Sequence, residues 1–335
     1  MTDGLSTSVR PDRLTLGAFA AVAVIGGGNA IAVKQSVAEL APFWSAGARF
    51  LAAGLLLVGF VLLTSRAFPS GRSLAGAVVY GAIGFAGAFG FMYPALREVP
   101  AGTATVFLAL VPLLTFGLAI AQRQERFRLQ GLAGAVIAVV GVVVVFADQV
   151  SADVPVVSLL FVIAATVFIA ESSIVLKWIP RSDPFATNSV AMLAAGGVLL
   201  VFSLVGAEPL AVPATPATWL AMGYIILAGS VVMFGLYLFA IRRWTASGVS
   251  YVTLLMPLVA VPLAAVLLGE TITLTFVVGA LVVLVGVYVG AFLTIRPRRS
   301  SATALPECLP IDECPDAATS PPTPTQSRPA TESAS

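Results

Sequence analysis

About ten apolar runs, each close to 20 residues long, follow one another along this chain with only short polar connections between them. A run of that length spans a hydrocarbon core of about 30 Å as an α-helix. The runs read as helices at 14–35, 43–63, 74–95, 101–121, 129–147, 156–176, 185–205, 218–240, 247–268 and 275–295. Composition agrees, because 59% of the 335 residues are hydrophobic and 10% are charged, whereas soluble domains carry about 25% charged residues. The expected fold class is therefore all-α integral membrane, with ten transmembrane helices.

Residues 1–13 are polar and carry Arg10 and Arg13 ahead of the first run, an arrangement similar to a signal sequence, with Ala30-Ile31-Ala32 as a cleavage-like triplet. The run nevertheless continues to Lys34 and many spans follow, so it reads as an uncleaved first helix. A cytoplasmic N-terminus places Arg66, Arg72, Arg123, Arg126, Arg128, Lys177, Arg181, Arg242, Arg243, Arg296, Arg298 and Arg299 inside. The outer loops then hold Arg97 with Glu39, Asp148, Asp153, Glu208 and Glu270. This is the bias of the positive-inside rule, and it puts both termini in the cytoplasm of a multi-pass protein of the plasma or inner membrane. Residues 296–335 are rich in Pro, Ser, Thr and Ala without apolar periodicity, and read as a disordered cytoplasmic tail.

Several function classes fall away. The chain has no histidine, and its two cysteines, Cys308 and Cys314, lie in the tail, so histidine-dependent membrane hydrolases and acyltransferases lack their base or metal ligand. No metal, cofactor or enzymatic activity is expected. No glycine-rich phosphate loop ending in Lys-Ser/Thr is present to couple ATP. Net charge is +2, with the 18 basic residues scattered over short loops rather than gathered into a nucleic-acid surface.

An internal repeat adds more. A shift of 145 residues carries Gly90 to Gly235, Ala95 to Ala240, Arg97 to Arg242, Ala101 to Ala246, Pro112 to Pro257, Glu125 to Glu270, Gly134 to Gly279 and Gly141 to Gly286. Earlier in each half the offset drifts by two or three residues, bringing Lys34 near Lys177 and Ala41-Pro42-Phe43 near Asp183-Pro184-Phe185. Each half, 14–147 and 156–295, holds five helices. An odd number makes the second half enter the membrane from the opposite side, so two inverted five-helix repeats are expected, with a solute site between them and alternating access.

These residues also resemble a known family. Gly28-Asn29 followed by Lys34, Pro42 and Arg49, Tyr93-Pro94-Ala95-Leu96, Pro112 with Glu125, and Pro257 with Gly269-Glu270 make residues 14–295 resemble an EamA-type transporter of the drug/metabolite transporter superfamily. The resemblance implies a secondary active transporter that exports amino acids or related small metabolites. An organic-anion, sugar-phosphate or nucleotide-sugar exchanger is the alternative within transport, and a non-transporting membrane scaffold the alternative outside it. The expected partners are a small-molecule solute and membrane lipid, with the chain a monomer or homodimer.

Candidate site residues follow from polarity inside apolar runs. Asn29 follows Gly26-Gly27-Gly28, which either interrupt the first helix or let another helix approach closely. Arg49 lies about two turns inside its span and Lys34 near the end of the first. A membrane-embedded cation costs about 2.5–3.5 kcal/mol on insertion scales, so each either meets a solute or ionic partner or snorkels to the headgroups. Phe89, Tyr93 and Tyr237 either line the cavity or belong to interfacial aromatic belts. Glu171 is a candidate proton-coupling group, unless its helix ends early and leaves it beside Lys177. Pro112 and Pro257 are candidate gating hinges, and Glu125 and Glu270 candidate caps of neighbouring helices. Gly286 and Gly290 offer a small-residue face for internal packing or a dimer.

Overall fold

The computed structural model describes residues 11–99, 101–145, 147, 155–180, 182–268 and 273–292, and among these there is no β-strand. Residues 1–10, Asp148, Asp153, Arg181, Glu270, the tail 296–335 and its Cys308 and Cys314 lie outside the described residues.

The first helix, α1, runs over Arg13–Glu39 behind Asp12, whose carboxylate accepts from the Thr15 backbone N–H at 2.9 Å. Helix α2 covers Pro42–Leu63, with proline in its first turn, where its missing N–H costs nothing. α3 (Gly71–Tyr80) and α4 (Ala88–Glu98) are joined through a π-helical turn, Gly81–Gly87, into one span. Then come α5 (Ala101–Leu108), α6 (Val111–Ala121), α7 (Leu129–Val145), α8 (Val156–Trp178) and α9 (Pro184–Val205). α10 (Pro216–Ile226) and α11 (Met233–Arg243) again flank a π-helical turn, Leu227–Val232. α12 (Ala246–Ser250), α13 (Val252–Leu268) and α14 (Leu274–Val287), which ends in a third π-helical turn at Tyr288–Phe292, complete the order. Among the described residues, eight spans are long and apolar enough to cross a membrane, and Val106–Ala121 and Leu129–Val145 are shorter apolar helical stretches.

Two antiparallel pairs organise the bundle. α2 packs on α9, with Phe43 against Phe202 at one end (ring centroids 5.9 Å apart) and Phe60 against Phe185 at the other (4.9 Å). Between them Gly54 lies against Leu193 and Gly196 against Leu51. A shift of 142 residues exchanges the members of both pairs. α7 packs on α14 through glycines, Gly134 meeting the backbone of Gly290 and Gly286 that of Ala138. The Gly286/Gly290 face is thus spent inside the bundle, since backbones this close leave no room for a Cβ. Outward positions such as Leu55, Val140, Val201 and Leu281 are exposed and apolar, as a lipid-facing surface requires.

Two expectations change. The run expected as one helix over 101–121 is two helices broken at Ala109 and Leu110, and Pro112 lies in the first turn of α6 rather than at mid-helix. Proline has no N–H to give the carbonyl four residues earlier and is accepted in a first turn, where that N–H is unused, so it starts α6 instead of kinking a continuous helix. Pro257 does lie inside its helix, α13, joined there by Pro262. The glycine run does not interrupt α1, which is continuous from Arg13 to Glu39. It serves close approach: a Cβ on Gly27 would lie 2.7 Å from Val259 Cβ and 2.9 Å from the Met256 carbonyl oxygen of α13.

Candidate functional site

Arg49 is the most deeply placed cation among the described residues, with its side chain fully buried at 0% exposure. Helix α2 presents it inward with Ala46, Phe50 and Ala53, which are also at 0% and fix that face toward the bundle interior. Neutral groups surround the guanidinium. Its Nε donates to Ser230 Oγ at 2.8 Å, one Nη to Tyr93 Oη at 3.0 Å, and the other to the Gly229 carbonyl at 2.9 Å and Asn29 Oδ1 at 3.3 Å. The rings of Phe50 and Phe89 stand 5.1 Å from Cζ, at cation–π distance. No described carboxylate forms an ion pair with it.

The π-helical turn at Leu227–Val232 makes this cradle. Ser230 Oγ donates to the Ile225 carbonyl five residues back at 2.7 Å, which aims its lone pairs at Arg49. The widened turn also brings the Gly229 carbonyl within reach of the guanidinium, a use of π geometry that recurs at functional sites. Gly229 is obligatory here, because a Cβ would run into Asn29 Oδ1 and approach Arg49 Nη2 at 3.4 Å. Asn29 is placed by α1, whose glycine segment is held against α10 by Tyr224 Oη donating to the Ile25 carbonyl at 2.9 Å.

Of the residues singled out in sequence, Asn29, Arg49, Phe89 and Tyr93 converge here. Tyr93 is fully buried in the cluster, which removes it from an interfacial belt. Tyr237 stands elsewhere, with its hydroxyl 2.6 Å from Ser173 Oγ of α8. Glu171 also lies apart: both its carboxylate oxygens accept from Gln122 Nε2 at the end of α6, at 2.9 and 3.1 Å. Lys34 is exposed and lines, with Val37, Ala38, Leu96 and Arg97, a pocket of about 370 Å³. Ser230 and Gly229 were not anticipated. Their available signal is the repeat itself, in which Gly229 matches Gly84 and the two π-helical turns fall at matching positions.

The sequence profile of the EamA-like transporter family matches residues 14–147 and again 156–291, together more than half of the chain. The chain belongs to the EamA-like transporter family. It is thus a multi-pass membrane protein of the drug/metabolite transporter superfamily. The uncharacterized inner membrane transporter YedA of Escherichia coli K12 is 30% identical over 260 residues, covering 77% of this chain and 84% of its own. A relative from Salmonella typhimurium LT2 named "Probable amino-acid metabolite efflux pump" is 28% identical over 291 residues, covering 84% and 95%. A solved crystal structure superposes with a TM-score of 0.70 at 21% identity, over 83% of this chain and 96% of its own, which establishes a shared fold.

At the end of the bundle marked by Asp12, Arg66 pairs with Asp183 at 2.7 Å and Arg243 with Asp12 at 3.0 Å. Arg242 donates there to the Ser182 carbonyl, and Lys177 to that of Trp244. Glu125 accepts from Ser247 N–H at 3.0 Å and from its hydroxyl at 2.5 Å, capping α12 as expected of it. At the opposite end, Glu208 accepts from the N–H groups of Phe43 (3.3 Å) and Trp44 (2.8 Å), capping α2. Glu39 there accepts from Thr215 Oγ1 at 2.9 Å.

Proposed function

We propose that this EamA-like protein is a secondary active transporter that works by alternating access and exports amino acids or related small metabolites carrying a carboxylate. One observation carries the reading: the Arg49 guanidinium, at 0% exposure, is held by neutral donor–acceptor partners and two rings without any described carboxylate. A charge removed from water costs several kcal/mol unless an opposite charge answers it. A bound carboxylate supplies that charge, with Asn29, Tyr93 and Phe89 around it as the solute site.

The halves 14–147 and 156–295 then act as inverted repeats of five helices each about a pseudo-twofold axis. The antiparallel α2–α9 and α7–α14 pairs support this, because repeat-equivalent residues exchange roles within each. The Asp12 end is the cytoplasmic one, supported by the arginines it gathers. Both termini and the tail 296–335 belong on that side, in the inner membrane that the name of the YedA relative also specifies. Glu171 is the proposed proton-coupling carboxylate, Tyr237 a cavity residue of the second half, and the break ahead of Pro112 together with Pro257 the flexing points.

The test is efflux of an amino-acid panel from cells loaded with dipeptides, comparing wild type with Arg49→Gln at equal membrane expression. Efflux of particular amino acids that rises with wild type and collapses in the variant supports the proposal. Equal efflux from both removes Arg49 from the site, and wild-type transport of phosphorylated solutes instead favours the anion-exchange alternative.

A further inference from the structure

The pocket at the Glu39 end unites two cations from two helices. Lys34 lies five residues beyond Asn29 on α1, and Arg97 four residues beyond Tyr93 on α4. At 1.5 Å rise per residue, α1 and α4, two of the helices that supply neutral ligands to Arg49, therefore each present a cation about 6–8 Å further along. The ends of α1 and α4 meet here, since an Arg97 Nη reaches the Leu40 carbonyl at 3.5 Å. Neither cation has an acidic partner among the described residues, and the neighbouring Glu98 is engaged by the Ser158 hydroxyl. The repeat-equivalent cations, Lys177 and Arg242, are instead committed to the backbone carbonyls of Trp244 and Ser182. The same pair of charges thus lines a cavity at one end of the bundle, with Arg97 3.5 Å from a backbone carbonyl, while at the other both members donate closely to backbone carbonyls.

We infer that the Lys34–Arg97 pocket is a second oxyanion site, a way-station that holds the carboxylate of a solute between Arg49 and the aqueous phase. Lys177 and Arg242 are its closed counterpart. The site is the mouth of the pathway described under the proposed function and rests on that reading. A carboxylate and a lipid phosphate offer the same oxyanion chemistry, so the test separates them.

Purified full-length protein carrying Ala38→Cys, with Cys308 and Cys314 changed to Ser, is reconstituted in vesicles of phosphatidylcholine alone or with phosphatidylglycerol. Ala38 lines the pocket and is exposed. The reaction rates of an anionic sulfonatoethyl and a cationic trimethylammonioethyl methanethiosulfonate are compared with those at Ala214→Cys, an exposed site at the same end. Two focused positive charges raise the anion-to-cation rate ratio about tenfold over the control site. Lys34→Gln and Arg97→Gln each bring it down several-fold, Lys34→Arg preserves it, and an equimolar amino-acid mixture slows the anionic reagent in both vesicle types. A ratio equal to that of the control site overturns the oxyanion site. Suppression by phosphatidylglycerol without any effect of amino acids assigns the pocket to lipid headgroups and overturns the way-station. Because no transport is measured, the outcome is independent of the efflux result for Arg49→Gln.

Discussion

The Arg49 guanidinium, carried by the first half of the chain, donates at 2.9 Å to the Gly229 carbonyl, carried by the second. The bond ties the halves together where, among the described residues, a charge is buried without a counter-charge. Gly229→Ala is expected to push Asn29 Oδ1 away from the Arg49 guanidinium that donates to it and to cost about 1–3 kcal/mol by overpacking. Transport should fall at least tenfold, while Gly223→Ala, where a Cβ meets nothing within 4 Å, leaves both thermal stability and transport unchanged. Efflux assays and thermal unfolding in detergent read the two.

Tyr93→Phe removes one acceptor from a buried charge. A hydrogen bond to a charged group contributes about 1.5–3 kcal/mol. The variant should unfold at lower temperature and show a raised KM for efflux at unchanged membrane expression. An unchanged KM excludes Tyr93 from the solute shell.

Asn188 is fully buried in α9, and neither of its amide atoms has a hydrogen-bond partner among the described residues. An unmet buried amide costs about 1–3 kcal/mol, so Asn188→Leu should raise the unfolding temperature. If transport is lost at the same time, the amide is held in reserve for solute; if transport persists, it is a structural liability.

Glu125→Ala deletes the carboxylate that caps α12 through Ser247. The expected loss is about 1–2 kcal/mol, typical of a removed N-cap, measurable as a lower unfolding temperature. Arg66→Ala, which breaks a half-exposed pair with Asp183, should cost under about 1 kcal/mol. The ranking of the two variants is the check.

Much of this architecture is legible before any coordinates, because apolar run length and lipid thickness dictate helices and because Pro, Glu and Arg recur together at a constant offset. Arg49, Asn29, Phe89 and Tyr93 stand out as polar or aromatic groups in apolar surroundings, and they do converge. Gly229 and Ser230 were missed because a backbone carbonyl leaves no mark in sequence and a π-helical turn has no composition of its own. Pro112 reads as a hinge within one helix over 101–121 because proline at mid-helix and proline in a first turn look alike when the run on both sides is apolar. Glu171 was readable as an acid within an apolar run, but its partner Gln122 lies 49 residues away, a pairing that only packing reveals.

Helix α1, uninterrupted over 27 residues, measures about 40 Å at 1.5 Å per residue, some 10 Å more than the hydrocarbon slab it crosses. The surplus is the polar end from Lys34 to Glu39, and a lone helix would be free to tilt it. This one is held, since Gly27 rests against the Met256 backbone of α13 and Asp12 and Glu39 anchor its two ends. A change of bilayer thickness therefore falls on the bundle as a whole, because α1 is fixed at both ends and cannot answer it by tilting alone.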